Sequence, residues 1–143
     1  MKPEVLEMGP MYAPTQAALE EMFTVHKLWL APDREAMLAS LAPRITAVAS
    51  SGRNGIDAAT IAKLPQLKII SHFGVGVDTV DTEAAKEHGV TVTNTPDVLT
   101  EDVADIAIAL LLATVRKVAA GDRYVREGKW LKGSMPLDRK SVV

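Results

Sequence analysis

Two glycine-bearing loops hold the residues best suited to chemistry. His72 to Asp81 reads HFGVGVDTVD and follows the apolar run Leu67–Ser71 (LKIIS). Ser50 to Gly55 reads SSGRNG and follows Ile45–Ser50 (ITAVAS). Glycines at 74 and 76 let consecutive backbone N–H groups converge on one point, a concavity suited to a small anion such as a carboxylate. The same residues also suit a tight strand-to-helix turn with no ligand, and the loop by itself leaves both readings open. Arg53 would add a bidentate cation to such a site, although a lone loop arginine is more often a solvated surface group. If both loops follow parallel strands they share one edge of a sheet, where α/β folds bind ligands. Together they point to a carboxylate-binding rim containing Gly52, Arg53, Val75 and Gly76.

A dinucleotide phosphate is a poorer fit. The fingerprint G-x-G-x-x-G/A needs a third small residue for close helix–strand packing, and Thr79 stands there. Val77–Val80 intervenes before the helix cap expected at Asp81. The acidic residue wanted about 20 positions on, for the ribose hydroxyl, is replaced by Asn94-Thr95-Pro96. Other candidates are weaker. His26, His72 and His88 lack metal-ligand spacing; His72 reads as a strand-end residue and His88 as a solvated helix end. Asp78 and Asp81 form a possible acid–base pair, but Asx capping explains both better. With no cysteine in the chain, thiolate metal sites and cysteine nucleophiles are excluded, and no metal site is expected.

Alternating strands and helices must position these loops. Strands are predicted at Glu4–Met8, Thr24–Trp29, Ile45–Ser50, Leu67–Ser71 and Val90–Asn94. Helices are predicted at Thr15–Phe23, Asp33–Leu41, Asp57–Leu64 and Asp81–His88, with Asp33, Asp57 and Asp81 as N-caps and Gly89 as a left-handed C-cap. Links of a few residues imply an α/β fold, a parallel sheet with helices on both faces; the five strands fit a flavodoxin-like order, although link length does not derive it.

The last third differs. Thr100 to Ala120 reads as one long helix, with Glu101 and Asp102 at its positive end. Val103, Ile106, Leu110 and Leu111 make one apolar face, expected to pack on the sheet; Ile108, Leu112 and Val115 make a second that another subunit or domain must cover. Gly121–Trp130 reads as a short polar helix, and Arg139–Val143 as the opening of a further strand, so the chain is expected to be a fragment.

At 143 residues, 48% apolar and 24% charged, the chain has the composition of a globular domain. A net charge of -2 with no basic face argues against a nucleic-acid partner. Ile106–Val115 is a ten-residue apolar run, against about 20 for a bilayer span. No secretory signal is visible in MKPEVLEMGP, so a cytoplasmic protein with no membrane partner is expected.

The series LKIISHFGVGVDTVD, GVTVTNTPDVLTEDVADIAIALLLATVR and YVREGKW resembles the N-terminal part of the NAD(P)-dependent D-2-hydroxyacid dehydrogenases, nearest their glyoxylate/hydroxypyruvate and hydroxyphenylpyruvate reductase branch. The likeness is continuous from Ser50 to Trp130. It implies a flavodoxin-like substrate domain over residues 1–99, a crossover and dimerisation helix with a short following helix over 100–130, and the start of a Rossmann cofactor domain at 131–143. It implies that the amides of Val75 and Gly76 hold the substrate carboxylate, with Gly52 and Arg53 on the substrate side. It also implies that Thr100 and Val75 lie near the cofactor, NADP or NAD. The partners implied are a small 2-keto or 2-hydroxy acid and a second copy of the chain. The catalytic arginine, carboxylate and histidine of the family come later, so no catalytic residue is expected among these 143 and the chain alone is expected to be inactive. The rival reading is a non-enzymatic flavodoxin-like binding or regulatory domain, or a cofactor-sensing dehydrogenase relative.

Overall fold

Five short β-rich segments, each followed by a helix-forming run, wind into one parallel sheet. The computed structural model describes residues 2–136 and divides into two compact units, Met1–Val98 and Leu99–Val143. In the first unit the strands are β1 (Glu4–Glu7), β2 (Thr24–Lys27), β3 (Ala47–Ser51), β4 (Ile69–Phe73) and β5 (Thr91–Thr93). All pair in parallel, in the order β2-β1-β3-β4-β5. This is the flavodoxin-like order, as expected.

The helices of this unit are α1 (Ala13–Met22), α2 (Arg34–Leu41), α3 (Ala58–Ala62) and α4 (Thr82–Glu87). Their starts are local chemistry. Asp33, Asp57 and Asp81 each accept a hydrogen bond from the backbone amide three residues on, at 3.0, 2.8 and 2.9 Å. That satisfies an N–H the helix cannot pair internally. The Thr60 hydroxyl and amide hold the Asp57 carboxyl below its ordinary range. At the end of α4, Gly89 takes φ 68°, which suits glycine, and His88 Nδ1 donates to the Ala84 carbonyl at 2.8 Å.

Strand periodicity divides the core. Leu6, Val48 and Ile70 are 1% exposed or less and pack with Leu38, Leu41, Ile61, Leu64 and Ala85 from the helical segments. The opposite sheet face is only half covered. Val5 and Ala49 are buried beside α1, whereas Ile69 and Phe73 on β4 are 37% and 55% exposed. Between them runs an apolar groove of about 380 Å³ lined by Val5, Leu19, Phe23, Ala47, Ile69 and Phe73.

Several boundaries correct the sequence reading. The predicted second strand stops at Lys27, and Leu28–Leu30 forms a 3-10 turn that buries Leu28. β4 begins two residues later than its apolar run, because Leu67 is consumed by a turn whose amide bonds Leu64 O.

The second unit carries α5 (Thr100–Val115) and α6 (Val118–Arg126), then a 3-10 turn at Lys129–Lys132. The single helix expected over 100–120 is therefore two. Lys117 adopts the left-handed conformation at φ 51° and ends the first. Val103, Ile106, Leu110 and Leu111 on α5 are each more than half exposed, as are Ile108 and Leu112. Among the described residues no helix is long and apolar enough to cross a membrane. The strand expected at Arg139–Val143 lies outside the described residues.

Candidate functional site

All five strands run in the same direction, so their carboxyl ends, and the loops that follow, gather on one edge. Register fixes which loops are neighbours. Ser51 at the end of β3 pairs with Phe73 at the end of β4, and Ser71 pairs with Thr93 of β5. The two loops singled out in the sequence are therefore side by side, with the residues after β5 on the far flank.

The loops are also bonded to each other. Ile56 N–H donates to Thr79 O and Asp81 N–H to Ile56 O, both at 3.0 Å. Gly55 makes this approach possible, since a Cβ there would fall on the Thr79 carbonyl oxygen. Gly9, after β1, likewise lies where a Cβ would collide with the Asn54 side chain. Within the first loop Ser51 and Asn54 exchange backbone hydrogen bonds at 3.0 and 2.9 Å, which puts Gly52 and Arg53 at the tip of a tight turn. Both are exposed, and Arg53 has no ion-pair partner among the described residues. The structure thus brings the loops together but joins Arg53 to neither Val75 nor Gly76.

The stretch Gly74–Gly76 is held from its flank. Thr95 N–H donates to Gly74 O at 2.9 Å, and Asn94 Nδ2 donates to Val75 O at 2.8 Å. No peptide bond in the chain is cis, and in a trans peptide the N–H points opposite to the C=O of its own plane. Both carbonyls are drawn toward the segment after β5, so the Val75 and Gly76 N–H groups face away from it. Neither amide meets an acceptor among the described residues, and both residues are exposed. Two adjacent, unpaired N–H groups in an exposed loop are chemically suited to a small anion. The five residues from Val77 to Asp81 separate Gly76 from α4, so the arrangement is not the glycine turn of a dinucleotide fold.

His72, expected as a strand-end residue, lies near the end of β4 and pairs with Ser50 of β3. His72 is 2% exposed, and its Nδ1 lies 2.9 Å from the hydroxyl of fully buried Ser50. Its Nε2 has no partner among the described residues and abuts Gly74, where an added Cβ would come within 3.0 Å of it. His72 is thus a buried support rather than a bare strand end. Glu7 at the end of β1 is also fully buried; Oε2 accepts from Gln16 at 3.3 Å and Oε1 is unpaired among the described residues. A buried carboxylate and imidazole among apolar strands leave no periodic signature, so only burial reveals them. Of the two aspartates, Asp81 caps α4 as expected. Asp78 makes no capping bond among the described residues, and its carboxylate lies on the side of Gly76 where a Cβ would project. His26 bonds Glu4 at the other edge, 2.8 Å away, and no metal-binding cluster occurs among the described residues. Thr100 is the first residue of α5 in the second unit; Leu99 precedes the helix and no side chain caps it.

Comparison with known proteins agrees with this geometry. The profile for the D-isomer specific 2-hydroxyacid dehydrogenase catalytic domain matches residues 5–130. A glyoxylate/hydroxypyruvate reductase A of Arabidopsis thaliana is 46% identical over 95% of the chain, and a hydroxyphenylpyruvate reductase of Plectranthus scutellarioides 45% identical over the same share. The chain spans about 44% of the length of each. A solved 2-hydroxyacid dehydrogenase from Ketogulonicigenium vulgare superposes with a TM-score of 0.89 at 48% identity, over 97% of this chain and 44% of that one. An NADPH-dependent glyoxylate/hydroxypyruvate reductase from Sinorhizobium meliloti, solved with NADP and malonate, superposes at 0.76 with 35% identity, over 96% of this chain and 42% of that one. The sheet order, the match over residues 5–130 and these likenesses lead to one conclusion: the chain belongs to the D-isomer specific 2-hydroxyacid dehydrogenase family.

Proposed function

We propose that this chain is the substrate-carboxylate-binding part of an enzyme that reduces a small 2-keto acid, such as glyoxylate, hydroxypyruvate or an aryl pyruvate, to the D-2-hydroxy acid. The observation that carries the reading is the pair of unpaired Val75 and Gly76 amides on the carboxyl edge of the sheet. Two N–H donors fix one carboxylate and so orient the adjacent carbonyl carbon, which lowers the entropic part of the barrier. Gly52 and Arg53 contribute the cationic flank of this rim, where a guanidinium can pair with a carboxylate. NADPH or NADH would supply the reducing hydride, and the family's pattern assigns Val75 and Thr100 to its binding. A Sinorhizobium relative solved with both NADP and a dicarboxylate supports the pairing of cofactor and anion.

The domain reading follows the same line: residues 1–99 form the substrate domain, 100–130 the crossover helices and 131–143 the lead into a cofactor domain. The enzyme works in the cytoplasm, where reduced nicotinamide is supplied. Hydride transfer needs a cofactor held against the substrate carbon and an acid for the carbonyl oxygen. The 143-residue chain carries no G-x-G-x-x-G/A fingerprint, so it is expected to oxidise no NADPH above a protein-free blank with glyoxylate or hydroxypyruvate. Steady loss of NADPH absorbance in that assay would overturn the reading. Binding of a keto acid to the Val75–Gly76 loop without turnover by the full-length protein would favour the rival sensor reading instead.

The homodimer belongs to this proposal too. Ile108 and Leu112 on α5 are 58% and 57% exposed, and full burial of each such side chain is worth about 1.5–3 kcal/mol. Two per subunit, each a little over half exposed, give a gross gain of about 3–7 kcal/mol across the pair, comparable with the lower part of association costs of about 4–15 kcal/mol. Sedimentation at micromolar concentration is expected to show a dimer, and Leu112→Glu a monomer. A monomer for the unmutated chain would remove α5 as the interface.

A further inference from the structure

We infer that Asn94 is a positioning residue for the anion-binding amides: its side chain turns the Val75–Gly76 peptide so that both free N–H groups face the substrate. The inference rests on the carboxylate-binding reading above and adds a residue outside the loop that makes it work.

The geometry begins with what a strand would otherwise do. Along a β-strand successive carbonyls point in alternate directions, so two successive N–H groups cannot face one ligand. At Gly74 and Val75 the alternation is broken, because both carbonyls bond the residues directly after β5. Thr95 takes the first with its backbone N–H, which any residue but proline supplies. The second depends on a side chain. The ladder between β4 and β5 ends at Ser71 and Thr93, so no backbone donor is placed for Val75 O. Asn94 is the first residue after β5, and its side-chain amide reaches that oxygen at 2.8 Å. The donor must be the NH2 group, since the amide oxygen would oppose another oxygen. Each captured carbonyl sends the N–H of its own plane the other way. Without Asn94, the Val75–Gly76 plane has nothing to stop it turning over, and glycine at 76 makes that rotation cheap. A flipped plane would present a carbonyl oxygen to the substrate carboxylate, so the effect falls on anion binding before it falls on the fold. Asn94 and its bond are exposed, so its removal leaves the core of Leu6, Val48 and Ile70 intact.

The test is an NMR titration of the chain with oxalate, following the amide signals of Val75 and Gly76, with Asn94→Ala and Asn94→Leu as variants. Leucine keeps the bulk of asparagine without donor or charge. Both variants are expected to keep a dispersed spectrum and to bind oxalate about fivefold or more weakly, the scale of one hydrogen bond's net contribution. In the full-length enzyme the matching result is a raised KM for the keto acid, with kcat and the NADPH dissociation constant held within about twofold, a split that mere destabilisation does not produce. Equal oxalate binding by wild type and both variants would overturn the role of Asn94 and leave the carboxylate reading standing. If the wild-type amides of Val75 and Gly76 do not respond to oxalate at all, both fall together. If the alanine variant does not fold, the leucine variant decides.

Discussion

Gly55→Ala is expected to lower the stability of the chain by about 3 kcal/mol, the upper end of what overpacking costs, and its thermal midpoint by more than about 10 °C. The new Cβ would fall on the Thr79 carbonyl oxygen. That oxygen is the acceptor for Ile56 N–H, and the neighbouring bond from Asp81 N–H to Ile56 O holds the same junction. Backbone cannot swing aside as a long side chain can, so relief requires the two loops to part. Gly52→Ala is the internal control: nothing lies within 4 Å of its Cβ, and an uncrowded surface change is expected to stay within about 0.5 kcal/mol. Calorimetry on the two variants checks the contrast. Equal midpoints would mean that the junction between the loops is not tight.

Gly76→Val in the full-length enzyme is expected to raise KM for the keto acid and lower kcat/KM about tenfold or more, each factor of ten being 1.36 kcal/mol of transition-state binding. The structure makes this a clean probe. A Cβ at Gly76 meets only Asp78 Oδ2, at 2.8 Å, the end of an exposed side chain that can move. Gly76 does not have a positive φ, so valine is not strained there. The fold should survive, and the loss should come from a side chain placed beside the N–H that meets the carboxylate. A change in kcat/KM below about twofold, well under 1 kcal/mol, would sink the assignment of these amides to the carboxylate. The midpoint of thermal unfolding, measured alongside, separates this outcome from simple destabilisation.

These two glycines show different things about what a sequence reveals. Gly76 was visible as a candidate because its role is local: an amide pair in a loop after an apolar run. The caps Asp33, Asp57 and Asp81 and the left-handed Gly89 were visible for the same reason, since each acts within about one turn of its own position. Alternation of strand and helix disclosed the parallel sheet, and the motifs around TNTPDVLTEDVAD disclosed the family. Gly55 was only part of a polar loop, because the atom that demands a glycine there belongs to Thr79, brought close by the parallel pairing of β3 with β4. Asn94 was part of a recognisable motif, but its target is 19 residues away in sequence, and no periodicity encodes that reach. His72 and Glu7 read as ordinary polar residues until packing buried them. The helix break at Lys117 carries neither glycine nor proline to announce it. The exposed faces of α5 show the same division: sequence determined that the helix is apolar on two sides, by side-chain spacing alone. What covers a side is decided by contacts made in space, and a one-dimensional pattern does not contain them. So the sequence by itself determined most of the elements, the aspartate caps, the candidate loop and the family. Tertiary structure decided the strand order, the joining of the two loops, the direction in which the free amides point and the residue that points them. Those depend on hydrogen bonds and close approaches between segments far apart along the chain, which form only when the sheet does.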